Sequence, residues 1–280
     1  MTDRYLRFPG GKSKALTLSY DDGVEQDLRL VEIMQKHGLK GTFNISAGLF
    51  FPADGIHPAG RVHRRMTEKQ ILTAYPEEIC EVACHGFTHP HLDRCDSAVV
   101  CAEIIDDRRG LERMFHHPVH GMAYPYGTIN DTVVEICRLA GIYYARTTVS
   151  TEKFDMPSDW LRLPATCHHK NPRLTELCDQ FLSKDVKGKP QLFYLWGHSY
   201  EFEGDNNWSI IEEFAAKMGQ HKEIWYATNM EIYLAQRDFD RLEFSADGNI
   251  AYNPNARTVC FADKNGVIYS IVPGETLHIQ

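Results

Sequence analysis

At 280 residues, with 43% apolar and 24% charged residues, the chain has the length and composition of an ordinary globular protein able to bury a substantial core. Its 38 acidic residues outnumber 30 basic ones, for a formal net charge of -8. No basic cluster is interleaved with aromatics, so nucleic acid is not an expected partner. The first residues lack an apolar leader and no later stretch approaches about 18 apolar residues, so the expectation is a cytoplasmic protein with no membrane partner.

After a lead-in punctuated by Pro9-Gly10-Gly11, Ala15 to Tyr20 are apolar or β-prone and read as a buried strand. It runs into Asp21-Asp22-Gly23. Residues 25–37 place Leu28, Val31, Ile33 and Met34 at roughly helical spacing, with Gly38 as the C-cap. Lys40 to Ser46 read as a second strand, which makes a βαβ unit of a parallel sheet or barrel. Residues 47–65, rich in Gly, Pro and His, form a loop long enough to sit over a site. Thr67, with Gln70 three residues on, caps the next helix.

Ile79 to Ala83 predict a short strand ending at His85, and residues 96–115 an amphipathic helix. Val119 to Ala123 predict a strand that Tyr124-Pro125-Tyr126-Gly127 ends. Asn130 to Ala140 read as helix closed by Gly141, and Ile142 to Val149 as strand. Residues 150–172 read as loop. A helix over 172–182 and a strand over 190–195 follow, the strand running into Trp196-Gly197-His198. Trp208 to Met218, Ile224 to Thr228 and Met230 to Arg237 supply helix, strand and helix.

From about Arg241 the pattern alternates, with turns at Asp247-Gly248-Asn249 and Lys264-Asn265-Gly266. The expected organisation is therefore an α/β body over residues 1–240 with a small antiparallel β unit, 241–280, packed on it. The eight cysteines contain no CxxC and fit buried reduced thiols better than disulfides or a cysteine-rich metal site.

Two adjacent ionised aspartates repel, so Asp21 and Asp22 either sit in a solvated turn or face something positive. His85-Gly86-Phe87-Thr88-His89 offers that counterpart. Its two histidines are four apart, and Gly86 and Pro90 favour a turn over a helix. A turn can still converge both imidazoles. Two histidines and one carboxylate leave open positions on a divalent ion for water and substrate, as hydrolysis requires. An isolated HxxxH, by contrast, is more often a pair of surface histidines.

The order Asp-Asp-Gly, His-x-x-x-His-Pro, Pro-Tyr-Gly and a late apolar strand ending in His resembles the polysaccharide deacetylase (NodB-homology, carbohydrate esterase 4) superfamily, over roughly residues 14–235. The resemblance implies a distorted (β/α)7 barrel, chemistry at the rim where the strands end, and one divalent metal ion, commonly zinc. It implies Asp22, His85 and His89 as metal ligands and Asp21 as general base. The backbone N–H of Tyr126 would face the oxyanion and His198 would be the general acid. Two departures stand out. Ala123 occupies the position where the family carries an arginine that contacts the base, and Arg146 could supply that guanidinium from the next strand. The family's Asp-and-Trp segment is only loosely matched by Asp155 and by Asp159-Trp160.

Around this frame, His168 and His169 either reach substrate or are loop histidines, and Tyr200, Glu201 and Glu203 could bind sugar hydroxyls. The expected activity is removal of an acetyl group from an N-acetylated sugar or small saccharide, the partner being a small molecule or oligosaccharide. A non-sugar amide, imide or ester is the rival substrate, and an inactive carbohydrate-binding protein the third reading. Oligomeric state is left open, a homo-oligomer included.

Overall fold

A short strand, β1 (Arg4–Arg7), precedes β2 (Lys14–Asp21), which is buried at every position in the computed structural model; the structure describes residues 4–279. Burial on both faces is the mark of a parallel strand covered by helices. The body continues through α1 (Asp27–His37), β3 (Gly41–Ile45), α2 (Glu68–Ala74), β4 (Cys80–Cys84), α3 (Ser97–Phe115), β5 (Gly121–Ala123), α4 (Asp131–Leu139) and β6 (Tyr144–Ser150). After β7 (Leu163–Ala165) and β8 (Cys167–His168) come α5 (Leu174–Ser183), β9 (Gln191–Gly197), α6 (Tyr200–Gly204), α7 (Ser209–Met218), β10 (Ile224–Tyr226) and α8 (Asn229–Asp240). Local signals set several ends. Gly38 takes φ 67 to stop α1, and the Thr67–Gln70 capping box starts α2.

The strands run parallel in the order β7-β6-β5-β4-β3-β2-β9-β8. Because β7 and β8 are consecutive in the chain, residues 163–168 bond β6 on one side and β9 on the other. Thr166 bridges them: its O accepts from Glu152 N, just past β6, at 2.8 Å, while its N–H donates to Tyr194 O at 2.9 Å and its Oγ1 accepts from Tyr194 N at 3.0 Å. The sheet thus closes on itself as the expected distorted seven-stranded barrel, with β7 and β8 as one interrupted strand. The expectation of a loop over 150–172 is corrected here. Runs of three and two residues, one containing Pro164, are too short to show alternation.

Period-two alternation ranks the inward residues of β2 from the closed end to the open rim. Ala15 belongs to an apolar plug with Leu6, Phe8, Tyr144, Leu192 and Ile232. Above it, Thr17 donates to Asn229 Oδ1 (3.0 Å). Ser19 and then Asp21 come last. The N-terminal turn of α8 stoppers the closed end, where Asn229 N donates to Thr42 Oγ1 (3.0 Å) and Met230 N to Glu81 Oε2 (2.9 Å).

The C-terminal strands β11 (Glu243–Phe244), β12 (Ile250–Tyr252), β13 (Val259–Asp263), β14 (Ile268–Ile271) and β15 (Thr276–His278) form two antiparallel three-stranded sheets, with β1 as the third strand beside β13 and β14. This unit therefore draws on the first residues of the chain as well as the last. Its own small core is Leu242, Ala251, Val259, Phe261 and Ile271.

All eight cysteines are free thiols. Five are buried, but Cys101 is exposed and Cys95 and Cys260 are half-buried, which corrects the uniform burial expected of them. No helix among the described residues is long and apolar enough to cross a membrane.

Candidate active site

The open rim of the barrel carries a cleft of about 480 Å³ lined by Asp21, Asp22, His63, Arg65, His85, His89, Tyr124, Tyr126, Trp196, His198 and Tyr200 among others. Asp21 ends β2. Asp22 leaves it with φ 83, a conformation that aspartate tolerates better than most residues and that turns its carboxylate away from its neighbour's. His85 follows β4, and the turn after it, with Gly86 at φ 72 and His89 at φ 57, brings the second imidazole back over the first. Two carboxylates of α3 hold that turn. Asp107 accepts from His85 N (2.8 Å) and Ala47 N (2.6 Å), and Glu103 accepts from Thr88 N (2.7 Å) and Thr88 Oγ1 (2.5 Å).

Asp22, His85 and His89 offer ligand atoms that all lie within 4.8 Å of one another. His85 Nδ1 donates to Ala123 O at 2.8 Å, which leaves the Nε2 lone pair facing the cleft. That Nε2 lies 3.1 Å from His89 Nε2. Burial pushes the imidazole of His85 down and that of His89 down to about 4, the neighbouring His85 adding to the second shift. Both rings are therefore neutral near pH 7. Two imidazole nitrogens this close together beside a carboxylate fit a tetrahedral divalent cation, whose nitrogen ligands at about 2.0–2.1 Å stand little more than 3 Å apart.

Asp21 is 3% exposed and fully engaged. Asn44 Nδ2 donates to its Oδ1 at 2.8 Å, and the Arg146 guanidinium pairs with Oδ2. Burial alone would raise this carboxyl, but Arg146, with His85 and His198 beside it, carries it below the usual aspartate range. Arg146 is 0% exposed; its Nε donates to Ser19 Oγ (3.2 Å) and its guanidinium lies 4.6 Å from the Trp196 ring centre. Arg146, opposite Ala123 on the adjacent strand, thus places a guanidinium on Asp21. Alternation on β6 puts Tyr144 and Arg146 on the lumen side.

Tyr126 adopts φ 60, and its N–H has no acceptor among the described residues. Its half-exposed ring stacks on His91 at 3.8 Å and meets His89 edge-on at 4.6 Å. His198 Nε2 lies 3.8 Å from Asp21 Oδ2, and its Nδ1 is 3.5 Å from Glu201 Oε2. Burial opposes a charge on this ring, but Glu201 and Asp21 outweigh it and raise its pKa.

Neither aspartate of the loosely matched segment touches His198. Asp159 pairs with Arg162 at 2.7 Å and caps Leu161, and Asp155 bridges to Gln191. Trp160 packs with Tyr233 by the apolar plug, far from the cleft. The carboxylate facing His198 Nδ1 is instead Glu201, three residues further along the chain. It also faces His168 Nε2 (3.1 Å), His169 Nε2 (3.3 Å) and Lys170 Nζ (3.0 Å), so these residues form a charged cluster behind His198. Glu203 pairs with Arg64 at 2.8 Å and lies outside the cleft lining.

Sequence reasoning did not single out His63, Arg65 and Asn44. Arg65 donates to Asp22 Oδ1 (2.8 Å) and Asp22 O (3.0 Å), and His63 Nε2 donates to Oδ2 (3.2 Å). Burial would raise the Asp22 carboxyl, but these contacts and His85 hold it far below the ordinary range. The histidine-rich loop 47–65 was the available signal; which of its residues would land on Asp22 was not.

Residues 8–145 match the family model described as polysaccharide deacetylase. No curated protein matches the chain. Among solved structures, a candidate polysaccharide deacetylase from Mycobacterium smegmatis is 16% identical, over 86% of this chain and 96% of that one, with TM-score 0.61; it shares the fold. A Streptococcus pyogenes deacetylase in complex with acetate is 22% identical over 47% of this chain and 55% of that one, with TM-score 0.41, so this chain matches about half of its length. A carbohydrate esterase family 4 pseudoenzyme from Bacillus anthracis is 18% identical over 82% of this chain and 68% of that one, with TM-score 0.48.

Proposed function

We propose that this chain, which belongs to the polysaccharide deacetylase superfamily, is a hydrolase that uses a divalent ion, zinc by the donor set, to remove an acetyl group from an N-acetylated sugar or small saccharide. The observation that carries the proposal is the pair of neutral imidazoles, with Nε2 atoms 3.1 Å apart, beside the Asp22 carboxylate and within the same cleft as the Arg146-held Asp21.

Asp22, His85 and His89 would hold the ion, which when bound supplies Lewis acidity and makes water a nucleophile near neutral pH. Asp21 takes the proton from the attacking water at Oδ2 or Oδ1. Its pairing with Arg146 keeps it ionised, and Asn44 fixes its plane. The free N–H of Tyr126 donates to the oxygen on which charge develops. His198, whose pKa the nearby Glu201 and Asp21 carboxylates raise, gives its Nε2 proton to the departing nitrogen, so base and acid act as separate groups. Tyr126, Trp196 and Tyr200 supply aromatic surface on which a pyranose ring can lie.

Incubation with a panel of N-acetylated sugars and oligosaccharides, with acetate assayed, tests the reading. Release of acetate that Asp21→Asn abolishes while metal content holds is the expected result. Absence of acetate from every sugar, with turnover of a cyclic amide or imide, moves the assignment to the non-sugar substrate. Bound sugar with no turnover of any kind makes the chain a carbohydrate-binding protein.

A further inference from the structure

We infer that His168, His198 and Glu201 form a second divalent-cation site, separate from Asp22, His85 and His89, whose occupation disables the acid of the reaction. The ligand atoms of these three side chains lie within 4.8 Å of one another, and no residue is shared between the two sets. His168 Nε2, His169 Nε2 and His198 Nδ1 stand 3.1, 3.3 and 3.5 Å from the same oxygen, Glu201 Oε2. Two imidazole nitrogens and a carboxylate oxygen are a donor set suited to zinc and other late first-row ions, and not to calcium or magnesium.

The second, independent observation is a lack of hydrogen-bond partners. His198 Nδ1 and both ring nitrogens of His169 are buried with no hydrogen-bond acceptor or donor among the described residues. His169 is 1% exposed and so close beneath the chain that a Cβ on Gly197 would lie 2.0 Å from its Nδ1. Buried polar nitrogens are costly without a partner. A cation beside Glu201 Oε2 gives at least the His198 nitrogen one.

Lys170 sets the strength of the site. Its ammonium lies 3.0 Å from Glu201 Oε1 and 2.6 Å from Asp205 Oδ2, so it neutralises part of the charge a cation would meet but leaves Oε2 free. The second ion therefore binds more weakly than one at Asp22, His85 and His89. Its effect on catalysis, which rests on the function proposed above, follows from the ring it takes. An imidazole that has given its Nδ1 lone pair to a cation keeps only the Nε2 proton. It cannot be an imidazolium, so it has no acidic proton to give a leaving nitrogen.

Zinc titration of the metal-stripped full chain by calorimetry tests the site, with cobalt absorption as a second readout. The wild type should bind two ions, one tightly and one at least about tenfold more weakly. Asp22→Ala should keep only the weak ion, and His168→Ala and Glu201→Gln should each keep the tight one, which also shows them folded, while losing at least about tenfold in the second affinity. Zinc beyond one equivalent should suppress acetate release with the midpoint of the weak ion. A single ion per chain at millimolar zinc overturns the inference, as does a second ion that neither His168→Ala nor Glu201→Gln weakens. Two ions with no acetate from any sugar leaves the second site standing and removes the activity reading instead.

Discussion

The two ends of the barrel lumen both bury carboxylates, and they treat them in opposite ways. At the closed end, Glu81 accepts from Tyr144 OH (2.6 Å), Thr42 Oγ1 (2.8 Å) and Met230 N (2.9 Å), and burial raises its pKa. The protein itself supplies every partner. At the open rim, Arg146 and Arg65 pair with Asp21 and Asp22 and hold their carboxyls below the usual range, while the Nε2 atoms of His85 and His89 lie 3.1 Å apart on the cleft. A buried polar cluster completed from within is architecture; one left short of a partner is a place for something to bind. Asp22, His89 and Tyr126, all at the rim, adopt positive φ at a cost of about 1–3 kcal/mol each.

The largest effect should come from emptying the rim. Asp22→Ala or His85→Ala should lose the bound ion, measured by metal analysis, and lower acetate release by about a thousandfold or more. Arg146→Ala leaves the Asp21 carboxylate buried and unpaired and should cost about 3–5 kcal/mol in denaturant unfolding. The double variant Arg146→Met, Asp21→Asn should recover much of that loss while remaining inactive.

Asp27 is an intermediate case, near the rim but satisfied by Ser199 Oγ (2.5 Å), Tyr75 OH (2.7 Å) and Val24 N (3.2 Å). Burial pushes it up to about 7 from an ordinary 3.8. Between those values the unfolded chain gives up this proton and the folded chain keeps it, so the Asp27 contribution to stability is lost as pH rises from about 4 to about 7. Asp27→Asn should flatten the pH dependence of unfolding over that interval by an amount on the order of a few kcal/mol. The smallest effect belongs to the closed end. Glu81→Gln keeps shape and most hydrogen bonds, and should cost about 1 kcal/mol with acetate release unchanged. A large loss of activity there would erase the contrast between the two ends.

Much of this was legible in the residues. The apolar run of β2, the helix caps and the strand–helix–strand rhythm predict a parallel sheet or barrel because each is a local pattern, and the motifs at strand ends carry the resemblance that implies the members of its rim. Arg146 is legible as a candidate because Ala123 lacks the family's arginine and Arg146 lies on the next strand. Its actual target needed the lumen, which β2 and β6 enter from four strands apart along the sheet. His63 and Arg65 carry no local signal for Asp22, since a loop of that length can land in many places, whereas Asn44 sits opposite Asp21 in the parallel register of β2 and β3. The carboxylate beside His198 is Glu201, not Asp155 or Asp159 of the loosely matched segment. Short-range helical spacing, His198 to Glu201, was the better clue, and it was read as sugar binding. Residues 163–168 escaped because a strand of three residues, a break and two more has no period.

That interrupted strand has a mechanical consequence. Most neighbouring strands of the barrel are laced over runs of consecutive residues, whereas closure between β6 and β9 depends on a few bonds around Thr166. Breathing of the cylinder should start along that seam and show as fast amide exchange at residues 163–168. Arg146 stands on the strand bordering the seam and reaches across the hollow to Ser19 and Asp21 on β2. The same side chain that keeps a carboxylate charged is therefore a crossbeam, and removing it should be felt first in the exchange rates of a segment it does not touch.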